Sequence, residues 1–440
     1  MARFLAEARW DDIPAAVRHE AMRSLMNFFA TALGGCRDPA IETAAAVLGR
    51  FSAGSNATTI GRPEKYDSLT AASLNAMSAN VFDFDDTHVP TIIHPTAPVA
   101  PAVFALAESA RLTGRQLLLA FILGVELECR LGNAVSPGHY QRGWHITATC
   151  GVFGAAVAAG KALGLDARRM AWAIGHASAQ SSGLVETLGS MSKSIGIGNA
   201  ARNGIVSALL AERNFTGPER PLEGRHGFLH VMADQHNIDA LTAELGARWE
   251  ILSNTYKPYP CGVVLMPVIE ATVALHANPE LSLAEIERIE LTGNPLLRVR
   301  TDRPGVQTGR EAQVSAQHGV AVALSRGKAG LVEFSDACVA EPDLRALGAK
   351  VVFIDDDQYS VDAARVTVFM RSGESFSEFV GAAHGGLARP LTDLQLESKL
   401  RELNRYGGSG CDADRLIDAI WALGRSDDAG AVMALASGRG

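Results

Sequence analysis

Before residue 250 no alternation of apolar and polar positions runs longer than four or five residues, which excludes a β-rich N-terminal half. What stands there is one helical pattern after another. Ile13–Leu33 carries Val17, Met22, Leu25, Met26 and Phe29 at helical spacing and stops at Gly34-Gly35. Similar patterns predict helices over 41–51, 69–81, 98–111, 114–133, 147–163, 167–182, 199–213 and 238–245. Ala and Gly carry much of this half and aromatic residues are only 6% of the chain, which favours closely packed helices over an aromatic-rich sandwich.

Near residue 250 the pattern changes. Segments 249–252, 286–291, 351–354, 364–370 and 375–380 are short and β-branched or aromatic, which suits strands. Helical segments 263–275, 313–325 and 344–347 lie between them. After Pro390 helices return at 392–404, 413–423 and 428–436, and Thr392 can cap the first of these. A chain of 440 residues has room for two or three domains. The expected architecture is a large all-α domain built from both chain ends, 1–253 and 391–440, with a smaller α+β domain inserted at 254–390.

A net charge of -8 argues against a nucleic-acid or polybasic membrane partner, though not against a small anionic substrate. The six cysteines form no CxxC pair and read as reduced thiols. Residues 1–12 lack an apolar core for a secretory signal. The longest apolar run, 117–125, is far shorter than the ~20 residues a span needs. A cytoplasmic protein is expected.

Four polar stretches interrupt apolar surroundings. The first, Phe82-Asp83-Phe84-Asp85-Asp86-Thr87-His88 on to His94-Pro95-Thr96, brings three carboxylates and two histidines to the end of an apolar helix. Such groups are costly to bury unpaired. A solvated helix end explains the pattern structurally, and Asp and His are also metal ligands; neither the EF-hand nor the HExxH spacing is present, so no metal is expected. The second, Gly143-Trp144-His145-Ile146-Thr147, sets His145 at a helix N-terminus, where the dipole favours the neutral base. The third, Gly189 to Asn199, offers Gly-rich backbone and Lys193 to an anion, without the spacing of a P-loop or a dinucleotide turn; alone it reads equally as a packing turn. The fourth, Lys257-Pro258-Tyr259-Pro260-Cys261-Gly262, presents Lys257 and Tyr259 on a backbone fixed by two prolines; Cys261 has no paired base in view.

In order and spacing these stretches resemble the MmgE/PrpD family, which includes 2-methylcitrate dehydratases, cis-aconitate decarboxylases and iminodisuccinate epimerase. The resemblance spans nearly the whole chain. It runs through DFDDT to HPTAPV at 83–99, GWH, SKSIGIGNAARNG at 192–204, NTYKPYPCG at 254–262, VSAQHGVAVAL at 314–324 and the GG-RPLTD segment at 385–393. It implies a homodimer with no metal or organic cofactor, acting on a small carboxylic acid. By motif the site members would be Asp83, Thr87, His94, His145, Lys193 and Lys257, with Asp86, Tyr259 and His318 as further substrate contacts. His318 stands where decarboxylase-like members tend to have Tyr, and the loop from Thr87 to His94 is one residue longer than theirs.

The chemistry of such a set is proton abstraction beside a carboxylate. That C–H is a very weak acid, and its loss builds a dianionic aci-carboxylate. Lys193 and Lys257 suit the stabilisation of that charge. His94 or His145 suits the base, since its pKa lies near working pH, and the other suits the acid. Asp83 would orient a histidine or lysine and Thr87 would bind a carboxylate. A dehydratase of a hydroxy-polycarboxylate leads, ahead of an epimerase of an amino- or imino-dicarboxylate and, outside the family, a metal-dependent hydrolase.

Overall fold

The computed structural model describes residues 1–438. The chain divides into two compact units, one of 1–81, 85–254 and the chain from 392 on, the other of 82–84 and 255–391. Mostly helical in two units, it has no described helix long and apolar enough to cross a membrane.

The first unit is built on α1 (Ala15–Gly35), α2 (Ser68–Asn80), α3 (Thr96–Ala110), α4 (Gly114–Val135), α5 (Ile146–Ala162), α6 (Ala167–Ser178) and α7 (Ser192–Glu212). Side chains set their starts. Asp67 accepts from the backbone N–H groups of Leu69 and Thr70, Thr113 and Gln116 form a reciprocal capping box, and Asp166 caps α6. The central element is α5, buried from Ile146 to Gly160. Its neighbours approach at small residues. A Cβ at Gly204 of α7 would lie 2.4 Å from Ala155 Cβ, and one at Gly124 of α4 would lie 2.6 Å from the Gly154 carbonyl oxygen. The Ala and Gly content thus sets the spacing of these helices.

In the second unit α8 (Met266–His276) and α9 (Ala316–Arg326) accompany a four-stranded sheet: β1 (Ile286–Gly293), β2 (Val351–Asp355), β3 (Ala364–Met370) and β4 (Ser375–Val380). The order is β2-β1-β3-β4, with β1 parallel to β2 and antiparallel to β3, and β3 antiparallel to β4. Burial alternates along β3, as period-two packing of one face requires. After Thr392, which caps it with Gln395 as expected, α10 (Asp393–Gly407) lies on α1, where Lys399 donates to Asn27 at 2.8 Å and Arg23 pairs with Asp393. α11 (Ala413–Ala422) follows, capped by Asp412.

Three expectations need correction. Residues 249–252 do not form a strand; Glu250–Ser253 is a 3₁₀ turn whose Glu250 N–H is taken by the Glu126 carboxylate at 2.8 Å. The 238–245 helix shrinks to a turn at Ile238–Leu241: Glu244 takes positive φ, and the buried Arg130 guanidinium binds the Ala240 and Ala243 carbonyls. Of the Gly-rich stretch before Asn199 only 189–191 is a turn; α7 already begins at Ser192. Gly198 serves packing, since a Cβ there would meet the Ser73 hydroxyl at 2.6 Å.

Candidate active site

The first polar stretch folds as a short extended segment, Asp86–His88, and a turn leading into α3. His94 is its best-determined member. Its backbone N–H donates to Thr147 Oγ1 at 3.1 Å. Its ring Nδ1 lies 2.8 Å from the Asp86 carbonyl oxygen and 3.1 Å from Asp85 Oδ1. A carbonyl and a carboxylate only accept, so Nδ1 carries the proton and Nε2 the lone pair. Asp85 is itself held by Asn80, whose amide donates to Oδ2 at 2.7 Å.

The neighbouring carboxylates differ in their partners, Asp85 lying in a bend and Asp86 at the start of the extended segment. Asp86 turns inward, where Thr96 Oγ1 and Asn254 Nδ2 donate to its Oδ2 at 2.5 and 2.9 Å. It has no solvent exposure. Burial, reinforced by the Asp85 charge and opposed by Thr96, pushes its carboxyl up to about 7. This corrects the assignment of Asp86 as a substrate contact: its oxygens brace α3 instead. His88, the second histidine of the stretch, is also structural, its ring nitrogens meeting Thr91 Oγ1 at 2.7 Å and Glu250 Oε2 at 3.1 Å. Thr87 is buried between them.

His145 stands at the N-cap of α5, two residues before the Thr147 that holds His94. Both histidines therefore gather at the N-terminal end of α5. Trp144 stacks on His139, which is fixed by the Met232 carbonyl and Thr149 Oγ1 at 2.9 and 2.7 Å. The His145 N–H donates to the Gly183 carbonyl at 3.1 Å, and the positive φ of Gly183 lets that strand pass against Ala148. A Cβ at Gly196 would lie 3.1 Å from the same Ala148 side chain, so the first turn of α7 reaches this place too. Lys193 lies in that turn, 8% exposed, with an ordinary helical backbone rather than a cradle of free N–H groups. The next hydroxyl, Ser194 Oγ, and the Asn80 and Asn254 amide oxygens are buried with no hydrogen-bond partner among the described residues.

The second unit holds the rest. Lys257 Nζ donates to both the carbonyl and the carboxylate of Asp83, at 2.8 and 2.6 Å, and Asp83 adopts positive φ to offer both. Tyr259 is half-buried and its hydroxyl is raised to about 12 by burial and the Glu270 charge. Cys261 is fully buried, and burial lifts its thiol to about 12, which removes it as a nucleophile. His318 is not brought to Lys257: it lines a separate cavity of about 200 Å³ with Ser315, Gln317 and Arg345, its Nε2 2.8 Å from the Glu333 carbonyl.

Sequence reasoning passed over Asp85, Asn80, Thr147 and His139. Asp85 stands in the first polar stretch, but nothing in the sequence separated it from Asp83 and Asp86. The others are set by tertiary contacts that no spacing reveals.

The family profile described as the MmgE/PrpD N-terminal domain matches residues 1–241, and the MmgE/PrpD C-terminal domain matches 259–424. The chain is 27% identical over 471 aligned residues to the cis-aconitate decarboxylase-like protein oryM of Aspergillus oryzae, covering 100% of this chain and 96% of that one. It is 28% identical to the cis-aconitate decarboxylase of Aspergillus terreus, over 95% and 91% of the two chains. To the cis-aconitate decarboxylase of Homo sapiens it is 26% identical, over 80% and 76%. This chain belongs to the MmgE/PrpD family.

Proposed function

We propose that this chain is a lyase that works without an organic cofactor or metal at a carbon beside a carboxylate of a small polycarboxylic acid, in its leading form a dehydratase of a hydroxy-polycarboxylate such as 2-methylcitrate. The observation that carries the reading is the His94 ring. With the Nδ1 proton given to the Asp86 carbonyl, Nε2 is the basic nitrogen, and the Asp85 carboxylate 3.1 Å from Nδ1 would stabilise the imidazolium that forms when it takes a proton. His145, at the same end of α5, is the acid that assists the departing hydroxyl. The buried Lys193 ammonium supplies charge for the aci-carboxylate.

A second reading rests on the names of the relatives, which are cis-aconitate decarboxylases. Loss of carbon dioxide leaves a carbanion that must be protonated, so the same histidine would run in the reverse direction. Proton NMR in D₂O with citrate, 2-methylcitrate, cis-aconitate, malate and iminodisuccinate, with and without EDTA, separates the cases. An unsaturated acid formed from 2-methylcitrate supports the dehydratase. Carbon dioxide loss with deuterium in the product supports the decarboxylase. Exchange with inversion at iminodisuccinate replaces both by an epimerase. Activity abolished by EDTA, or His94→Gln and Lys193→Ala variants that keep near-normal turnover, would sink the proposed chemistry.

A further inference from the structure

The first unit contains a cleft of about 350 Å³ that shares no residue with the group around His94. Four elements form it: the turn Trp10–Asp12, the start of α1, the start of α4, and the end of α11 with the turn after it. Two indole rings and three guanidinium groups line it, those of Trp10, Trp421, Arg18, Arg115 and Arg425.

The three arginines have no ion pair among the described residues. Arg18 lies over the Trp10 ring at 5.1 Å, and its Nε is buried without an acceptor. Two carboxylates beside His19 and Trp421 are already engaged. Asp393 is taken by His19 and Arg23, and Glu397 accepts from the Trp421 indole at 3.0 Å and pairs with Arg401. In a chain of net charge -8, three arginines without a carboxylate partner line one cleft, and a bound anion would pair them. The rest of the lining is apolar and aromatic. Trp421 stacks on His19 with planes 11° apart, and Leu118 and Met22 also line the cleft. A simple inorganic anion would use the arginines and leave that surface wet. A ligand with a planar ring and a doubly charged head uses both.

We propose that this cleft binds a nucleoside phosphate, the base against the indoles and the phosphate in the fork of Arg115 and Arg425. Guanidinium groups match phosphate geometry bidentately, and base–indole stacking adds sequence-tolerant affinity. The volume lies within the range of small-ligand pockets, about 300–1,000 Å³.

The test is calorimetric titration of the full chain with adenosine monophosphate, adenosine, inorganic phosphate and citrate. Saturable binding of the nucleotide, at least ~10-fold tighter than the other three, is expected. The exposed pair Arg115→Ala with Arg425→Ala should weaken it at least ~10-fold while turnover stays at the wild-type level. Gly424→Leu supplies an independent block. A Cβ there would lie 3.8 Å from Leu118 and 4.0 Å from Trp10, ordinary contact distances, so the longer side chain enters the cleft without displacing backbone. No nucleotide binding, nucleotide binding unchanged in the arginine pair, or citrate or phosphate binding as tightly as the nucleotide would each overturn the assignment.

Discussion

The Glu250 carboxylate lies 3.1 Å from Nε2 of His88, and both side chains are buried. Asn133 and Arg248 also donate to Glu250, at 2.9 and 3.1 Å, while its N–H binds Glu126, the partner of Arg130. This network ties the segment 86–88 to α4 and so fixes where His94 stands. Burial alone would raise the Glu250 carboxyl; the hydrogen bond and charge of His88, then Asn133 and Arg248, outweigh it and hold it at about 2. A depressed carboxyl contributes stability that is complete above its unfolded value near ~4.3 and is lost as pH falls through about 2. Glu250→Gln should therefore cost roughly 1–3 kcal/mol at neutral pH and flatten the acid limb of the stability curve. Urea midpoints across that limb check it; an unchanged slope in the variant would refute the linkage.

Asp86 works in the opposite sense. Its folded carboxyl stands at about 7, raised by burial and by Asp85. The unfolded value is ~3.9, so stability is complete below that and declines as pH rises toward about 7. Asp86→Asn removes the charge that burial penalises and can keep one oxygen for Thr96. Its stability should vary less than that of the wild type between about pH 5 and about pH 8, and a steeper dependence in the variant would contradict the assignment.

How much of this was legible in the sequence depends on the range of the interaction. Local rules gave Thr392 as the cap of α10 and the period-two burial of β3. They failed at Ser192–Gly198, where glycines that read as an anion loop or a packing turn are helical, close against α5 and α2. They failed at 238–245, where Glu244 takes positive φ and Arg130, more than a hundred residues earlier, holds the carbonyls. In the site, residue types at the motif positions were readable. The division of labour between Asp85 and Asp86 was not, since it depends on which acid meets Asn80 and His94 and which meets Thr96 and Asn254.

The glycine reading has a direct consequence. A methyl group on Gly204 would lie 2.4 Å from Ala155 Cβ and 2.7 Å from the backbone of Ala155 and Ala156. Backbone cannot rotate away as a side-chain tip can, so α7 must shift from α5. Helix propensity favours Ala over Gly by ~1 kcal/mol, and overpacking of this kind costs about 1–3 kcal/mol or more. Gly204→Ala should thus be destabilising, with a thermal midpoint lowered by several degrees and reduced turnover, because Lys193 rides on the same helix. A stabilised variant would mean that the helices are less closely packed than this.

Glu128 poses the sharpest energetic question in the first unit. It is fully buried on α4, both its oxygens lack a partner among the described residues, and a Cβ at Gly154 would lie 2.3 Å from Oε2. Burial, with a further push from Asp86, raises its carboxyl well above the ordinary range, which favours the neutral acid. A raised carboxyl costs nothing below its unfolded value near ~4.3 and costs progressively more as pH rises toward the folded one. Glu128→Gln has nearly the same shape and cannot ionise. It should match the wild type within about 1 kcal/mol at about pH 5 and be the more stable of the two in alkali. An infrared band of a protonated carboxylic acid, present in the wild type at neutral pH and missing from Glu128→Gln, would identify the proton directly. If the band is absent and the variant is less stable in alkali, Glu128 is ionised and some group must be compensating its charge.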